Sequence, residues 1–335
     1  MMNNIFIQTG IAKAIPAQLK KLKLGQKYAI ITDSKVKKLY GNAFLRALKK
    51  NGLEGYIFDF PFGERSKNLQ TIEVLAEKMI KAGFDRQDSI IALGGGVVGD
   101  MAGFLASIYM RGIPYVQIPT TLLAMVDSSV GGKTGVDLQS GKNLIGTFNQ
   151  AQAIFIDSNY LKTLSEKQIK NGLAEIIKYG VIKDTKLFNY IEENLSEILN
   201  LKEKHLNKII ERSVEIKMAI VKKDEKEKGE RMILNYGHSF GHALEKMSDY
   251  KLLHGFAISI GMVIANKLAI KKNLLKKEDA DRIKKLLNNA GLPIVTIKNP
   301  ALKDLKSDKK KSGNKISLIL PTKIGQVIIH QEKCQ

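Results

Sequence analysis

Strands alternating with helices in the first half of the chain, then a long stretch of helical periodicity alone, predict an α/β, Rossmann-like N-terminal domain and an all-helical C-terminal domain. The apolar runs YAIITD, GYIFDF and SIIALGGG alternate with VKKLYGNAFLRALKKNG and LQTIEVLAEKMIKAG, the pattern of a parallel sheet wrapped by helices. After GIPYVQIPTT and AIFID the strand signals fade, and residues from about 160 to 290 read as nearly all helix. With no internal repeat and no low-complexity linker, the boundary falls near residue 160. The domains are expected to be 1–160 and 161–335, closely packed with a cleft between them, a preferred place for ligands.

Composition narrows the class. The 335 residues are 44% hydrophobic and 26% charged, ordinary for a globular protein with a sizeable core. The only cysteine, Cys334, excludes an internal disulfide and fits a reducing compartment. No stretch reaches the ~20 apolar residues of a membrane span, so a cytoplasmic protein without membrane partners is expected. The formal charge of +21 admits nucleic acid, an anionic membrane or a polyanionic small substrate. The lysines are scattered as pairs on helical segments, and the dense run DLKSDKKKSG has no interleaved aromatics to stack bases. Nucleic acid is therefore disfavoured.

Two glycine-rich stretches follow strand signals. In IIALGGGVVGDMAGFLAS, Gly94, Gly96 and Gly99 satisfy G-x-G-x-x-G between a buried strand and a helix. Backbone N–H groups there can approach a pyrophosphate, although tight packing of helix on sheet would use the same glycines. Asp33, at the end of an earlier strand, suits a ribose hydroxyl. VDSSVGGKTGVDLQSGKNLIG lacks Walker spacing but concentrates donors suited to an anion. Three of the five histidines, His238, His242 and His254, lie in NYGHSFGHALEKMSDYKLLHG. A helix would put His238 and His242 on one face, which permits a shared metal or substrate without demanding one.

Taken in order, GERSK, GGGVVGDMAGFLAS, YMRGIPYVQIPTTLLAMVDSSVGGKTGVD, GKNLIG, GLAEIIKYG, ERMILNYGHSFGHALE and HGFAISIGM resemble the 3-dehydroquinate synthase family, from about residue 60 to 320. The resemblance implies an NAD-binding α/β domain, a helical metal- and substrate-binding domain, and a zinc or cobalt ion held by Glu175, His238 and His254. It implies a phosphorylated sugar acid, 3-deoxy-D-arabino-heptulosonate 7-phosphate, as substrate. Its phosphate is assigned to Lys133, Asn143, Asn235, His242, Lys310 (or Lys309) and Arg111, the last from a neighbouring subunit of a homodimer. Its carboxylate is assigned to Lys217 and Arg231, and its hydroxyls to Asp127, Lys178 and Glu227. For NAD the implied residues are Asp33, Glu64, Lys67, Gly95, Gly96, Gly99, Asp100, Thr120, Thr121, Lys133, Lys142 and Thr163. The implied chemistry is a lyase reaction with no net redox change: an alcohol is oxidised, phosphate eliminated, the hydride returned and the ring reclosed as 3-dehydroquinate.

Two departures from the family pattern stand out. Phe256 in HGFAISIGM replaces a glutamate, and FNQA, with Asn149 and Ala151, replaces FHQP. If the glutamate orients His254, its loss alters metal affinity; if it shapes the pocket, the substrate changes. The sister cyclases making 2-deoxy-scyllo-inosose or valiolone-type products are thus an alternative, as is a metal-dependent polyol dehydrogenase. Lys217 and Arg231 favour the carboxylated substrate.

Overall fold

Each alternating apolar run of the first half becomes a strand of one sheet in this computed structural model, which describes residues 4–296, 300, 311–312 and 315–333. In chain order the elements are β1 Asn4–Ile7, α1 Ile15–Leu22, β2 Lys27–Asp33, the single turn α2 Ser34–Val36, α3 Asn42–Lys50, β3 Glu54–Phe60, α4 Leu69–Lys81, β4 Ser89–Gly94, α5 Gly96–Ile108, β5 Tyr115–Pro119, β6 Lys133–Leu138, β7 Gly141–Phe148 and β8 Ala153–Ile156. Six strands form one sheet in the order β1-β8-β5-β4-β2-β3, every pairing parallel. Its central strands are buried throughout, Ala29–Ile31 and Ile90–Leu93 among them, as a sheet covered on both faces requires. The chain runs from β2 outward to β3, then returns to lay β4 on the other side of β2. That reversal is a topological switch point, and the carboxyl ends of strands flanking such a point are where open α/β sheets take ligands. Asp33 and Gly94 close those two strands.

The donor-rich stretch after β5 folds into two strands. β6 and β7 pair antiparallel, from Lys133↔Phe148 to Leu138↔Gly141, as a hairpin apart from the main sheet.

Clustering of contacts divides the chain into two units, Met1–Thr163 and Leu164–Gln335. The second unit holds α6 Glu166–Lys183, α7 Thr185–Glu193, α8 Leu195–Leu199, α9 Glu203–Lys223, α10 His238–Met247, α11 His254–Lys271 and α12 Lys277–Asn289. Helix α6 is buried without a break from Asn171 to Ile182, the mark of a helix enclosed on all sides. It stops where Asp184 begins α7, its Oδ1 accepting from the N–H groups of Lys186 and Leu187 at 2.9 and 3.1 Å.

The helical run to residue 290 is as expected, but the unit is not all helix. The tail adds β10 Lys315–Lys323 and β11 Gln326–Lys333, an antiparallel pair with the two-residue β9 Lys311–Ser312 at its edge. The signal is present in KISLILP, a short apolar run that ends in a proline and is buried from Ile316 to Leu320, as a strand covered on both faces reads. A turn at Gly325, with φ of 91°, joins the pair and sits on the end of α6: Gly325 N–H donates to the Val181 carbonyl at 2.8 Å and Thr185 Oγ1 to that of Ile324 at 2.9 Å. Among the described residues no helix is long and apolar enough to cross a membrane. Lys309, Lys310 and Cys334 lie outside the described residues.

Candidate active site

In the first unit, packing and ligand approach share the glycines. A Cβ on Gly94 would stand 2.5 Å from Val98 Cγ2, and one on Gly99 2.8 Å from Gln117 Oε1. These two are small because α5 lies directly on the sheet. A Cβ on Gly95 or Gly96 would meet only the tips of Thr121 and Ser128 at 3.1 Å, so side-chain space excludes substitution there less severely. The first turn of α5 therefore presents backbone donors at the carboxyl end of β4, as a phosphate group needs. Thr120 N–H donates to the Gly94 carbonyl at 2.9 Å, and Thr121 Oγ1 accepts from Ala124 N–H at 3.1 Å, tying β5 to the same turn. Asp33 caps α2, its Oδ1 accepting from the N–H groups of Lys35 and Val36 at 2.9 Å each. Burial raises its carboxyl above the ordinary range against the pull of those bonds and of Lys35.

Lys67 is the centre of a second group. Only 4% exposed, its Nζ stands 2.6 Å from Asp100 Oδ2 and also donates to Asn143 Oδ1. Burial opposes the charged amine, yet Asp100, Glu64 and Asp137 outweigh it and raise its pKa. Asp137 on β6 donates its N–H to the Lys67 carbonyl and accepts from Asn143 N–H, both at 2.8 Å. Lys142 Nζ lies 3.3 Å from Glu64 Oε1. The structure thus gathers Glu64, Lys67, Asp100, Lys142 and Asn143, and Asn143, assigned above to the substrate phosphate, stands with the residues assigned to NAD. Thr163 pairs its hydroxyl with that of Tyr40. Asp127 is half-buried; Lys133, at the start of β6, and Arg111, at φ 73°, are exposed.

In the second unit three helices converge. A Cβ on Gly255 would fall 2.0 Å from the Asn171 carbonyl oxygen, and one on Gly261 2.0 Å from that of Gly237; only glycine lets α11 come so near α6 and the start of α10. Asn171 fixes the approach, its Oδ1 accepting from Gly255 N–H at 2.7 Å. One turn beyond Asn171 stands Glu175, completely buried. The Nε2 atoms of His238 and His254 each lie 3.5 Å from Glu175 Oε1, and the three residues offer ligand atoms within 4.8 Å of one another. His238 Nδ1 donates to the Tyr236 carbonyl at 3.2 Å, which directs its Nε2 lone pair inward. Two imidazoles and one carboxylate are the donor set of a catalytic divalent-metal site.

Charge around this centre is heavily compensated. Lys178, 1% exposed, pairs with Glu175. Burial alone would lower the His254 pKa, but Glu175 and then Glu245 push it up to about 10; a cation is what these carboxylates are placed to receive. His242 is exposed on the same face, its ring centroid 5.3 Å from that of His238 and 6.1 Å from that of His254. The buried cations Lys217, on α9, and Arg231, in the turn after it, are 6% and 2% exposed. Arg231 donates to the Glu225 carbonyl, and Asn235 Nδ2 donates to Glu227 Oε1.

Sequence reasoning missed Glu245, whose Oε2 lies 3.6 Å from His254 Nδ1. A signal existed: positions 238, 242 and 245 fall at i, i+4 and i+7, one face of a helix. Phe256 offers no such contact, and Lys167 Nζ lies 5.9 Å from its ring centroid.

Comparison with known proteins fits these observations. The fold is similar to that of 2-epi-5-epi-valiolone synthase from Streptomyces hygroscopicus with NAD+ and Zn2+ bound, at TM-score 0.90 and 27% identity over 99% of this chain and 93% of that one. A 2-deoxy-scyllo-inosose synthase complexed with carbaglucose-6-phosphate, NAD+ and Co2+ is as similar, at 0.90 and 27% over 99% and 94%. An iron-containing alcohol dehydrogenase shares the fold more distantly, at TM-score 0.66 and 18% identity over 92% and 90%. The likeness in fold is therefore stronger to the two synthases than to the dehydrogenase. The 3-dehydroquinate synthase N-terminal and C-terminal family models match residues 57–171 and 172–311. A 3-dehydroquinate synthase from Prochlorococcus marinus is 48% identical over 98% of this chain and 93% of its own length, and one from Desulforamulus reducens 44% over 98% and 93%. The chain belongs to the 3-dehydroquinate synthase family.

Proposed function

We infer that the chain is a 3-dehydroquinate synthase, a lyase that converts 3-deoxy-D-arabino-heptulosonate 7-phosphate to 3-dehydroquinate and phosphate. The observation that carries the reading is the convergence of Glu175, His238 and His254 on one point in a chain of this family. Those three residues would hold a zinc or cobalt ion. Asp33, the turn at Gly95, Gly96 and Gly99, Thr120, Thr121, Lys133, Lys142, Thr163 and the group around Glu64, Lys67 and Asp100 would hold NAD. When bound, the ion supplies Lewis acidity at a substrate oxygen and NAD supplies reversible hydride acceptance.

The protein's own task is positioning and charge compensation. Buried Lys178 would stabilise negative charge developing on a substrate oxygen, with Asp127 and Glu227 orienting the hydroxyls. Lys217 and Arg231 would take the carboxylate, because a desolvated guanidinium binds it in two parallel hydrogen bonds. Arg111 of a second copy, Lys133, Asn143, Asn235, His242 and Lys310 would hold the phosphate, whose own oxygens can accept the proton that must be removed. A homodimer in the cytoplasm follows from this reading.

The buried Arg231 favours this reading over the two sister cyclases, whose substrates have no carboxylate to match. The test supplies the metal-loaded protein and NAD with the heptulosonate phosphate or with glucose 6-phosphate and follows orthophosphate and 3-dehydroquinate. Phosphate release from the heptulosonate alone is expected. Release from glucose 6-phosphate alone, or stoichiometric NADH without phosphate, would replace this reading by a cyclitol synthase or a polyol dehydrogenase respectively.

A further inference from the structure

We propose that Glu245 is the positioning residue of the metal centre: its carboxylate lies against His254 Nδ1 and holds that ring so that Nε2 presents its lone pair to the ion. The inference rests on the metal site proposed above.

The two histidines are built alike. His238 has Nδ1 on the Tyr236 carbonyl at 3.2 Å and Nε2 3.5 Å from Glu175 Oε1. His254 has Nε2 at the same 3.5 Å and Nδ1 3.6 Å from Glu245 Oε2. A neutral imidazole carries one N–H, and whichever nitrogen is held by an acceptor leaves the other free to ligate. For His238 a backbone carbonyl does this, and no substitution can remove it. For His254, at the first position of α11, the holding group is a side chain on another helix.

That side chain is itself held. Glu245 is 5% exposed and lies on α10 two turns after His238, so the helix that supplies one ligand also aims the other. Leu244 beside it packs with Ala257 and Ile260 of α11, fixing the two helices against each other. A buried carboxylate in this position also raises the basicity of the ring it holds, which strengthens the metal bond.

His242, Glu245 and His254 also offer ligand atoms within 4.8 Å of one another, so the test must separate a holding role from direct ligation of a second ion. Zinc affinity of the full chain is measured by chelator competition, with stoichiometry, for Glu245→Gln, Glu245→Asp and Glu175→Gln. 15N spectra of the histidines report the tautomer, with only five rings to assign. Glu245→Gln, which keeps the volume, is expected to bind one equivalent about 10- to 100-fold more weakly and to mix the His254 tautomers while His238 is unchanged. Glu245→Asp, keeping the charge at shorter reach, should recover part of the loss. Native affinity in Glu245→Gln, no recovery in Glu245→Asp, or a second equivalent of zinc lost with Glu245 would overturn the proposal. Retention of zinc by Glu175→Gln would instead overturn the metal site itself.

Discussion

The two units build their candidate sites by opposite means. At the switch point of the sheet, the first unit relies on backbone: a helix start, a run of glycines and two threonines, all within a few residues of strand ends. Around Glu175, the second unit relies on side chains brought from three helices, with His238 lying 63 positions after Glu175 in the chain. A backbone site tolerates change in most side chains and fails when the chain path is altered. A side-chain site fails at single atoms. Substitutions in each unit should therefore fail differently, and the following measurements test that contrast.

The largest effect is expected at Glu175. Glu175→Gln keeps the shape but removes the charge facing two imidazoles and Lys178; turnover should fall roughly a thousandfold or more, the scale of a lost Lewis acid worth several kcal/mol. NAD binding, measured by calorimetry, should persist. Loss of both together would show that the contrast between the units is false.

Next comes Arg231→Ala, for which kcat/KM on the carboxylated substrate should drop about a hundred- to a thousandfold, since removing one partner of a buried charge pair costs roughly 2–5 kcal/mol. NAD affinity should again be unmoved, and an equal loss of both would contradict the assignment.

Gly94→Ala probes the other unit. Its Cβ would press on Val98 at 2.5 Å, and overpacking of this kind costs about 1–3 kcal/mol. A lowered melting temperature accompanied by weakened NAD binding is expected. Weakened binding at unchanged stability would mean that Gly94 serves the ligand rather than the packing.

The smallest effect is at Asp184, which caps α7 and pairs with Arg212. Burial raises its carboxyl, but the Arg212 hydrogen bond and the cap outweigh this and hold it below the ordinary range. A depressed carboxyl stabilises the fold above its unfolded pKa, and the contribution fades as pH falls from about 4 through the folded value. Asp184→Asn, which keeps a capping oxygen and loses the pair with half-exposed Arg212, should cost about 0.2–1 kcal/mol near neutral pH and nothing once the native residue is protonated. A difference independent of pH would show that the cap, not the charge, does the holding.

What the sequence made legible follows the same division. The parallel sheet could be read because its strands are short apolar runs bounded by helical periods, and the glycine turn because its spacing is local. Which of those glycines pack and which face outward was not readable, since Val98 and Gln117 become neighbours only in the fold. The hairpin β6–β7 was hidden behind its glycines and donors, which suggested anion binding and masked the strands. Strands β10 and β11 were overlooked although ISLIL is a short apolar run of strand length, because a long helical stretch precedes them. Glu175 could be linked to His238 and His254 only through resemblance: nothing in spacing says that Gly255 will let α11 reach α6. Glu245 was within reach, one helical face from two histidines, but its role depends on where His254 points.

The turn at Gly325 gives the end of the chain an unexpected leverage. By gripping Val181 and Thr185, it buttresses the very rod from which Glu175 projects, 150 residues earlier. An affinity handle appended behind β11, or a trimmed hairpin, would thus be felt as a slackened grip on the ion rather than as a frayed tail.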